Sequence, residues 1–343
     1  MMENVVQKVL AGDRLAISRL ITAVENRQDG VAGVIDDLFP YGGHAFIIGI
    51  TGSPGCGKSS LVNSLAYRIR HPRDNEKTQK VAIVALDPTS AFSGGALLGD
   101  RVRMRDLAGD EGVFIRSMAS RGALGGLNAA IFQVIHILDS AGFDFIFIET
   151  VGVGQSEIEI AQLAHTVIVV EAPGMGDDIQ AAKAGILEIG DILVVNKADR
   201  PGADLTTQIL QQMLEIGKGS AFEGQQNFHH GFLYQAPIEM APSDAWQPAI
   251  VQTCAIKQEG TDALYDEVNR HHAYLMDSHE WKKREKTRLV REFEQSLKEA
   301  VFIRLRSEFP QERYSRVLNG IMEKQFSPNQ GVVELMTRTL KKD

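Results

Sequence analysis

The clearest chemical pattern in the sequence is an eight-residue stretch, G-x-x-x-x-G-K-S, from Gly52 to Ser59. An apolar, β-branched run precedes it and a run with helical spacing follows, the context of a phosphate-binding loop. The glycines let backbone N–H groups surround a phosphate, and the helix dipole favours the same anion. Lys58, a candidate catalytic residue, is placed to reach the β- and γ-phosphates, and the Ser59 hydroxyl to ligate Mg²⁺. The residues expected to contact the phosphates are Gly55, Cys56, Gly57, Lys58, Ser59 and Ser60.

A second pattern, N-K-x-D, follows a predicted strand at Asn196, Lys197 and Asp199. The Asp199 carboxylate can accept two hydrogen bonds from guanine, whereas adenine offers neither donor in that geometry and would leave the carboxylate unpaired. Asn196 can contact the base and tie neighbouring loops together, and the Lys197 stem can lie over the base. A later strand end could touch the base through a backbone N–H, at Thr253, Cys254 and Ala255. The pattern therefore predicts a guanine nucleotide, GTP or GDP.

Three acidic residues are candidates for the Mg²⁺ site that phosphoryl transfer needs. Asp87 and Glu149 each end a predicted strand, and Asp100 lies in Leu98–Arg101. Strand ends favour a functional position, so Asp87 and Glu149 are also candidate catalytic residues. Glu149 stands three residues before Gly152, whose N–H could read the γ-phosphate while the carboxylate holds a Mg²⁺ water. Asp100 could equally be a solvated charge.

The elements that must position these residues alternate short apolar runs with helical patterns. Most runs are continuously apolar, as in strands covered on both faces, and this indicates a doubly wound, mostly parallel α/β sheet. Polar, Pro-containing sequence from Phe222 to Pro248 is interpreted as a surface insertion, and Arg116–Gly126 and Pro173–Asp178 as mobile glycine-rich loops. The predicted strands are Phe46–Ile50, Val81–Leu86, Phe143–Ile148, Val167–Val170, Ile192–Val195 and Ile250–Thr253.

Helical segments are expected on both sides of this α/β region. Residues 1–40 are predicted to form an N-terminal helical extension with Asp13 as an N-cap, residues 41–257 the α/β domain, and residues 258–343 a C-terminal helical region. Apolar residues recur at steps of three and four in the tail, at Val290, Phe293, Leu297, Val301 and Leu305. This amphipathic helix either packs on its own domain or serves as a dimerisation or docking arm, and the pattern alone does not decide.

Composition excludes several classes of protein. The 343 residues carry a formal net charge of −8, which argues against a nucleic-acid-binding surface. The two cysteines have no partner at metal-ligand spacing, and the pairs His229-His230 and His271-His272 are interpreted as solvated surface rather than metal ligands. No apolar run approaches the roughly 20 residues that span a bilayer, and the N-terminus lacks a secretory signal. We therefore expect a cytoplasmic protein that binds neither nucleic acid nor membrane.

Taken together, these motifs resemble a known family. The sequence is similar to the MeaB-type GTPases that chaperone adenosylcobalamin-dependent acyl-CoA mutases, a group related to the human methylmalonic aciduria type A protein and once described as an arginine/ornithine transport kinase, ArgK. The resemblance runs from about Gly12 to residue 260 and continues more loosely into the tail. Besides the phosphate loop, it rests on Leu86–Ser90, Gly95–Met104, Glu149–Glu157 and Asn196–Asp199.

The resemblance implies a P-loop GTPase domain between the helical extension and a C-terminal dimerisation arm, in a homodimer that binds the mutase. It implies that Asp87, Asp100 and Glu149 serve Mg²⁺ and its shell. It also implies that Lys183, in a third switch loop, takes part when the mutase stimulates hydrolysis. The family often has a second basic residue where this chain has Ala184.

The function expected from the resemblance is that of a GTP-hydrolysing metallochaperone, slow until its partner stimulates it. It would gate cofactor loading from an adenosyltransferase and removal of inactivated cofactor. The partner mutase would be of the methylmalonyl-CoA, isobutyryl-CoA or 2-hydroxyisobutyryl-CoA type. Two alternatives remain open: a metal-insertion GTPase of hydrogenase or urease maturation, and a kinase of a transport protein, which would prefer ATP.

Overall fold

A computed structural model describes residues 2–73, 76–87, 107, 109–119, 130–150, 159–174, 188–220 and 245–337. The chain divides into two compact units, Met1–Arg288 and Leu289–Asp343. The first unit contains the strands and the N-terminal helices. The three-part division at residues 40 and 257 stays a prediction.

A seven-stranded sheet forms the centre of the first unit. The strands are β1 Phe46–Gly52, β2 Val81–Asp87, β3 Val113–Ala119, β4 Phe145–Glu149, β5 Thr166–Glu171, β6 Ile192–Asn196 and β7 Ala249–Thr253. Their order is β3-β2-β4-β1-β5-β6-β7, and each neighbouring pair runs parallel. The carboxyl ends therefore meet at one edge of the sheet, where a doubly wound fold binds its ligand.

Helices cover both faces of this sheet. Along β1, Ile47 packs into one apolar cluster and Ile48 into another on the opposite face. Both are fully buried, which explains why the strands read as continuous apolar runs. The described part of the first unit includes the helices α1 Met2–Leu10, α2 Arg14–Glu25, α3 Val31–Leu38, α4 Lys58–Arg70, α5 Ala130–Ser140, α6 Ala203–Ser220 and α7 Thr261–Asp277. The predicted doubly wound α/β fold is confirmed.

Helix α2 begins where the sequence predicts. The Asp13 side chain accepts hydrogen bonds from the N–H groups of Leu15 and Ala16, which confirms it as the N-cap of α2. Helices α1 to α3 and α5 cover one face of the sheet, and α4 and α7 contribute to the apolar cluster on the other. Helix α4 is the one that carries the phosphate-loop lysine and serine.

Strand β3 was not predicted, and the interpretation of Arg116 to Ala119 as part of a mobile loop was wrong. These four residues continue β3, which pairs with β2 at the edge of the sheet. The polar pair Arg116-Ser117 interrupts the apolar run, and this hid the strand from periodicity. Arg116 is accommodated because its guanidinium forms an ion pair with Glu25 of α2. The remainder of that predicted loop, residues 120–126, lies outside the described residues.

The C-terminal residues form helices, as predicted. Helix α8 Glu280–Glu308 begins in the first unit, and α9 Gln311–Met322 and α10 Pro328–Thr337 belong to the second. Within that second unit, Arg313 donates to the backbone carbonyls of Glu334 and Leu335. The apolar stripe of α8 is exposed at Val290, Phe293, Leu297 and Val301. The dimerisation arm itself stays a prediction.

A buried polar cluster fastens the start of α8 to the amino ends of the strands. Arg284 donates two hydrogen bonds to Asp191, at 2.7 and 2.8 Å, and a third to the carbonyl of His165. His165 in turn contacts Glu285 at 2.6 Å. Since His271 is fully buried here, its assignment to solvated surface was wrong. His229 and His230 lie outside the described residues.

Because of this buried cluster, we expect the folded chain to lose stability in acid. Burial lowers the pKa of His271 to about 4, although Asp191 opposes the shift. The unfolded chain, with a histidine pKa of about 6.5, binds a proton that the folded chain excludes between these values. Stability present above pH 6.5 is therefore lost as the pH falls towards 4, by roughly 2 to 3 kcal/mol at pH 4.5. The charged or titratable groups acting on His271 are Asp191, Arg284, His272 and Arg270.

Urea unfolding at pH 7 and pH 4.5 measures this effect. We expect His271→Gln to lose less stability between the two pH values than the parent chain. His44→Gln, at an exposed position, is the control and should behave like the parent. An equal loss in the parent and in His271→Gln would contradict the assignment.

Among the described helices, none combines the length and apolar character needed to cross a membrane.

Candidate functional site

The phosphate loop connects β1 to α4, and its glycines are required by the backbone. Gly57 has a φ of +99°, and a Cβ there would lie 2.4 Å from the side-chain nitrogen of Asn196. Gly52 has a φ of +135°, and its Cβ would lie 2.0 Å from the carbonyl oxygen of Val170. Any other residue would be strained or would push the loop off β5. The loop is thus packed directly against β5, the neighbour of β1 in the sheet.

Lys58 is held inside this loop. Its ammonium group donates to the carbonyl oxygens of Gly52, at 2.9 Å, and Ser53, at 3.1 Å. Only 6% of its surface is exposed. A buried ammonium beside the amino end of α4 favours an anion there.

Ser59 and Glu149 are brought together across 90 residues of chain. The Ser59 hydroxyl donates to Oε1 of Glu149 at 2.6 Å, and both residues are buried. Hydroxyl and carboxylate oxygens are the donors that Mg²⁺ prefers. Although the described residues contain no group of three His, Cys, Asp or Glu side chains that could hold a metal ion, the Ser59–Glu149 pair fits a Mg²⁺ ion that takes its other ligands from phosphates and water.

Asn196 connects the phosphate loop to the end of β7. Its amide nitrogen donates to the carbonyl of Cys56 at 2.9 Å, and its amide oxygen accepts from the Ala255 N–H and the Thr253 hydroxyl, both at 3.1 Å. The neighbouring Lys197 ammonium donates to the carbonyl of Gly55 at 2.5 Å. The predicted role of Asn196 in tying loops together is therefore visible in the structure.

Asp199 lies at the same edge and is 37% exposed. A hydrogen bond with Cys254 and the nearby ammonium of Lys257, 3.3 Å away, hold the pKa of Asp199 below its usual value. The same pair raises the pKa of Lys257. The carboxylate is therefore ionised at neutral pH, the form that accepts two hydrogen bonds from guanine.

A cavity of about 510 Å³ opens at this edge of the sheet, within the size range of ligand sites. The predicted residues lining it are Gly55, Gly57, Lys58, Ser59, Ser60, Glu149 and Lys197. The remaining lining residues, Pro54, Ala85, Leu86, Thr150, Arg200 and Ile256, were not named as site residues from the sequence. Arg200 and Ile256 directly follow the two base-reading motifs, and that adjacency was the available signal.

Comparison with known proteins agrees with this geometry. The model of the family described as "Methylmalonyl Co-A mutase-associated GTPase MeaB" matches residues 17–309. The chain belongs to the MeaB family.

Individual relatives support this membership. A putative GTPase of Pyrococcus abyssi is 38% identical over 96% of this chain and 94% of its own length. The protein of Caenorhabditis briggsae named "Methylmalonic aciduria type A homolog, mitochondrial" is 31% identical over 76% of this chain and 61% of its own length. A solved structure titled "Crystal structure of LAO/AO transport system kinase" covers 99% of this chain and 97% of its own, with 22% identity and a TM-score of 0.65, and it shows the shared fold. This MeaB-family chain is a GTPase.

Several predicted site residues do not line the cavity but are buried around it. Cys56, Asn196, Thr253, Cys254 and Ala255 bond the loops to one another or to Asp199. Asp87 ends β2, at the same edge of the sheet as Glu149, and its side chain lies outside the described part of the chain. Asp100, Gly152 and Lys183 also lie outside the described residues, as do residues 222–244 of the predicted insertion.

Proposed function

We propose that this MeaB-family GTPase binds an adenosylcobalamin-dependent acyl-CoA mutase, and that GTP binding and hydrolysis gate the loading of its cofactor and the removal of inactivated cofactor. The observation that carries the proposal is the match to a family described as methylmalonyl-CoA mutase-associated, which spans residues 17–309. The name of the nematode relative, a methylmalonic aciduria type A homolog, points to the same metabolism.

The chain's own residues supply the chemistry as follows. Asp199 accepts the guanine donors, and the bridge through Asn196 holds the base-reading loop at a fixed distance from the phosphate loop. Backbone N–H groups of Gly55 to Ser60 surround the phosphates, while Lys58 exchanges its carbonyl partners for β- and γ-phosphate oxygens. These groups stabilise negative charge on the phosphoryl group in the transition state, where fixed donors have their largest effect.

The Mg²⁺ site of the proposal comprises Ser59, Glu149, Asp87 and Asp100. When bound, Mg²⁺ supplies neutralising charge at the β- and γ-phosphates. Glu149 orients Ser59 through the 2.6 Å hydrogen bond already present between them. Gly152 would read the γ-phosphate three residues further along the chain.

Hydrolysis by the chain alone is expected to be slow. Among the described residues of the cavity, no histidine is present, and the only carboxylate, Glu149, is engaged with Ser59. A partner that positions Lys183 and the attacking water would therefore raise the rate, as partner-supplied cations do in other P-loop GTPases.

Single-turnover hydrolysis of GTP, with and without candidate mutases, tests the proposal. The three mutases are those acting on methylmalonyl-CoA, isobutyryl-CoA and 2-hydroxyisobutyryl-CoA. We expect the cognate enzyme to raise the rate at least about tenfold, and Lys183→Ala to remove the increase while leaving the unstimulated rate. Equal rates with and without each mutase would contradict the proposal.

Two binding experiments distinguish the alternative functions, which are metal insertion and phosphorylation of a transport protein. Tight stoichiometric binding of Ni²⁺ or Zn²⁺ in equilibrium dialysis would favour metal insertion. Displacement of labelled GTP by equimolar ATP would favour a kinase. The homodimer and the adenosyltransferase contact remain parts of the proposal.

A further inference from the structure

A buried carboxylate lies beneath the phosphate loop and is not used by the chemistry described above. Glu171 is the last residue of β5 and is 1% exposed. Val167 and Val169 precede it at alternate positions and belong to the apolar core. Because side chains alternate along a strand, Glu171 continues their face, where the pattern calls for another apolar residue. Burying a carboxylate costs free energy, so such departures are expected at functional positions.

Glu171 is connected to the phosphate loop through Ser53. Ser53, itself buried, donates from its hydroxyl to Oε2 of Glu171 at 3.2 Å. The carbonyl of the same Ser53 accepts from the Lys58 ammonium at 3.1 Å. A buried carboxylate and a buried ammonium are thus both bonded to Ser53, one through its side chain and the other through its backbone.

This arrangement limits where Lys58 can lie. Gly52 cannot move towards β5, since it already packs on the backbone of Val170. The orientation of the Ser53 peptide, however, depends on what holds its side chain. A carboxylate acceptor is stronger than a neutral one and polarises the hydroxyl that it binds. The hydrogen bond to Glu171 therefore fixes the carbonyl that sets the starting position of the Lys58 ammonium.

We propose that Glu171 is a positioning residue for GTP hydrolysis, acting through the Ser53 hydroxyl to orient Lys58. Glu171 is not among the residues that line the nucleotide cavity, so we assign it no direct contact with nucleotide or metal. The proposal concerns hydrolysis by the chain alone, so it stands or falls independently of any mutase. Lys58 stabilises the negative charge that develops on the transferring phosphoryl group in the transition state. Loss of its orientation should therefore lower kcat more than it weakens nucleotide binding.

Single-turnover hydrolysis and GDP titration of four variants test this. We expect Ser53→Ala to lower the rate about tenfold while the Kd for GDP changes by less than about twofold. Ser53→Thr keeps the hydroxyl and should recover most of the rate. Glu171→Gln keeps only a weaker, neutral acceptor, so its rate should fall between that of Ser53→Ala and that of the parent. Ser64→Ala is the matched control. Ser64 lies on α4, outside the cavity lining, and its buried hydroxyl is 2.6 Å from that of Thr261.

Two outcomes would overturn the assignment. The first is a Ser53→Ala or a Glu171→Gln variant that hydrolyses GTP at the parent rate. The second is a Ser53→Thr variant as slow as Ser53→Ala, since the side-chain volume rather than the hydroxyl would then matter. Thermal melting of each variant shows whether a lower rate reflects unfolding, and Ser64→Ala gives the melting change that loss of one buried hydrogen bond produces without a change in rate.

Discussion

An Asp199→Asn variant is expected to lose about 100-fold in GTP affinity and to gain affinity for xanthosine triphosphate, because the site then lacks the acceptor that guanine requires. The ionised carboxylate accepts from two guanine donors, whereas an amide offers one acceptor and one donor. Xanthine carries a carbonyl where guanine carries its amino group, so the asparagine amide complements it. Calorimetric titration with GTP, ATP and xanthosine triphosphate measures the change.

The ion pair with Lys257 has to be separated from base reading. Lys257→Met removes the ammonium 3.3 Å from Asp199 but leaves the carboxylate. Since exposed ion pairs contribute little, GTP affinity should change by about fivefold or less, with guanine still preferred. Asp277→Asn, at the exposed end of α7, controls for loss of a charge. An Asp199→Asn variant that still prefers GTP to xanthosine triphosphate would remove the basis for guanine specificity.

A Glu149→Gln variant is expected to hydrolyse GTP about 100-fold more slowly and to need about tenfold more Mg²⁺, in line with the effect of disturbing groups that orient metal ligands. The buried carboxyl group is 2.6 Å from the Ser59 hydroxyl and lines the cavity. Glutamine preserves the shape and can still accept from Ser59, so the fold should be retained. Hydrolysis rates over a Mg²⁺ series and GDP binding in EDTA measure the two effects.

In EDTA, GDP affinity should be the same in Glu149→Gln and in the parent, because the substitution weakens only the metal-dependent part of binding, which EDTA abolishes in both proteins. Glu215→Gln, at an exposed position of α6, should match the parent in each measurement. If Glu149→Gln hydrolysed GTP normally at low Mg²⁺, the metal site would have to be placed elsewhere.

The phosphate loop is the part of the site that could be predicted most completely from the sequence. The glycine spacing, the preceding apolar run and the following helix are contiguous, and the loop is built from local backbone geometry and the end of one helix. The loop, its lysine and its serine could therefore be placed without knowledge of the rest of the chain. The apolar runs likewise predicted six of the seven strands. The seventh, β3, escaped because Arg116 breaks its pattern and is compensated by Glu25, far away in the chain.

Other features could not be read from the chain. Ser53 and Glu171 are 118 positions apart, and Asn196 and Cys56 are 140 apart. Their hydrogen bonds exist because the strand order places β5 beside β1 and β6 beside β5. His271 looked like surface in the sequence, but it is buried where α7 packs against the amino ends of the strands. Periodicity does not say which helix covers which strand end.

Local patterns along the chain were enough to predict the ligand class and most of the fold, because a phosphate loop and a base-reading motif act through neighbouring residues and continuous apolar runs indicate buried strands. The hydrogen bonds that hold the loops to one another could be identified only in the folded chain. Asn196 forms hydrogen bonds with two loops, Glu171 accepts one from the Ser53 hydroxyl, and Asp191 accepts two from Arg284. Such contacts depend on a sheet that brings remote residues within hydrogen-bonding distance, and a hydrogen bond, unlike hydrophobic burial, leaves no periodic trace along the chain.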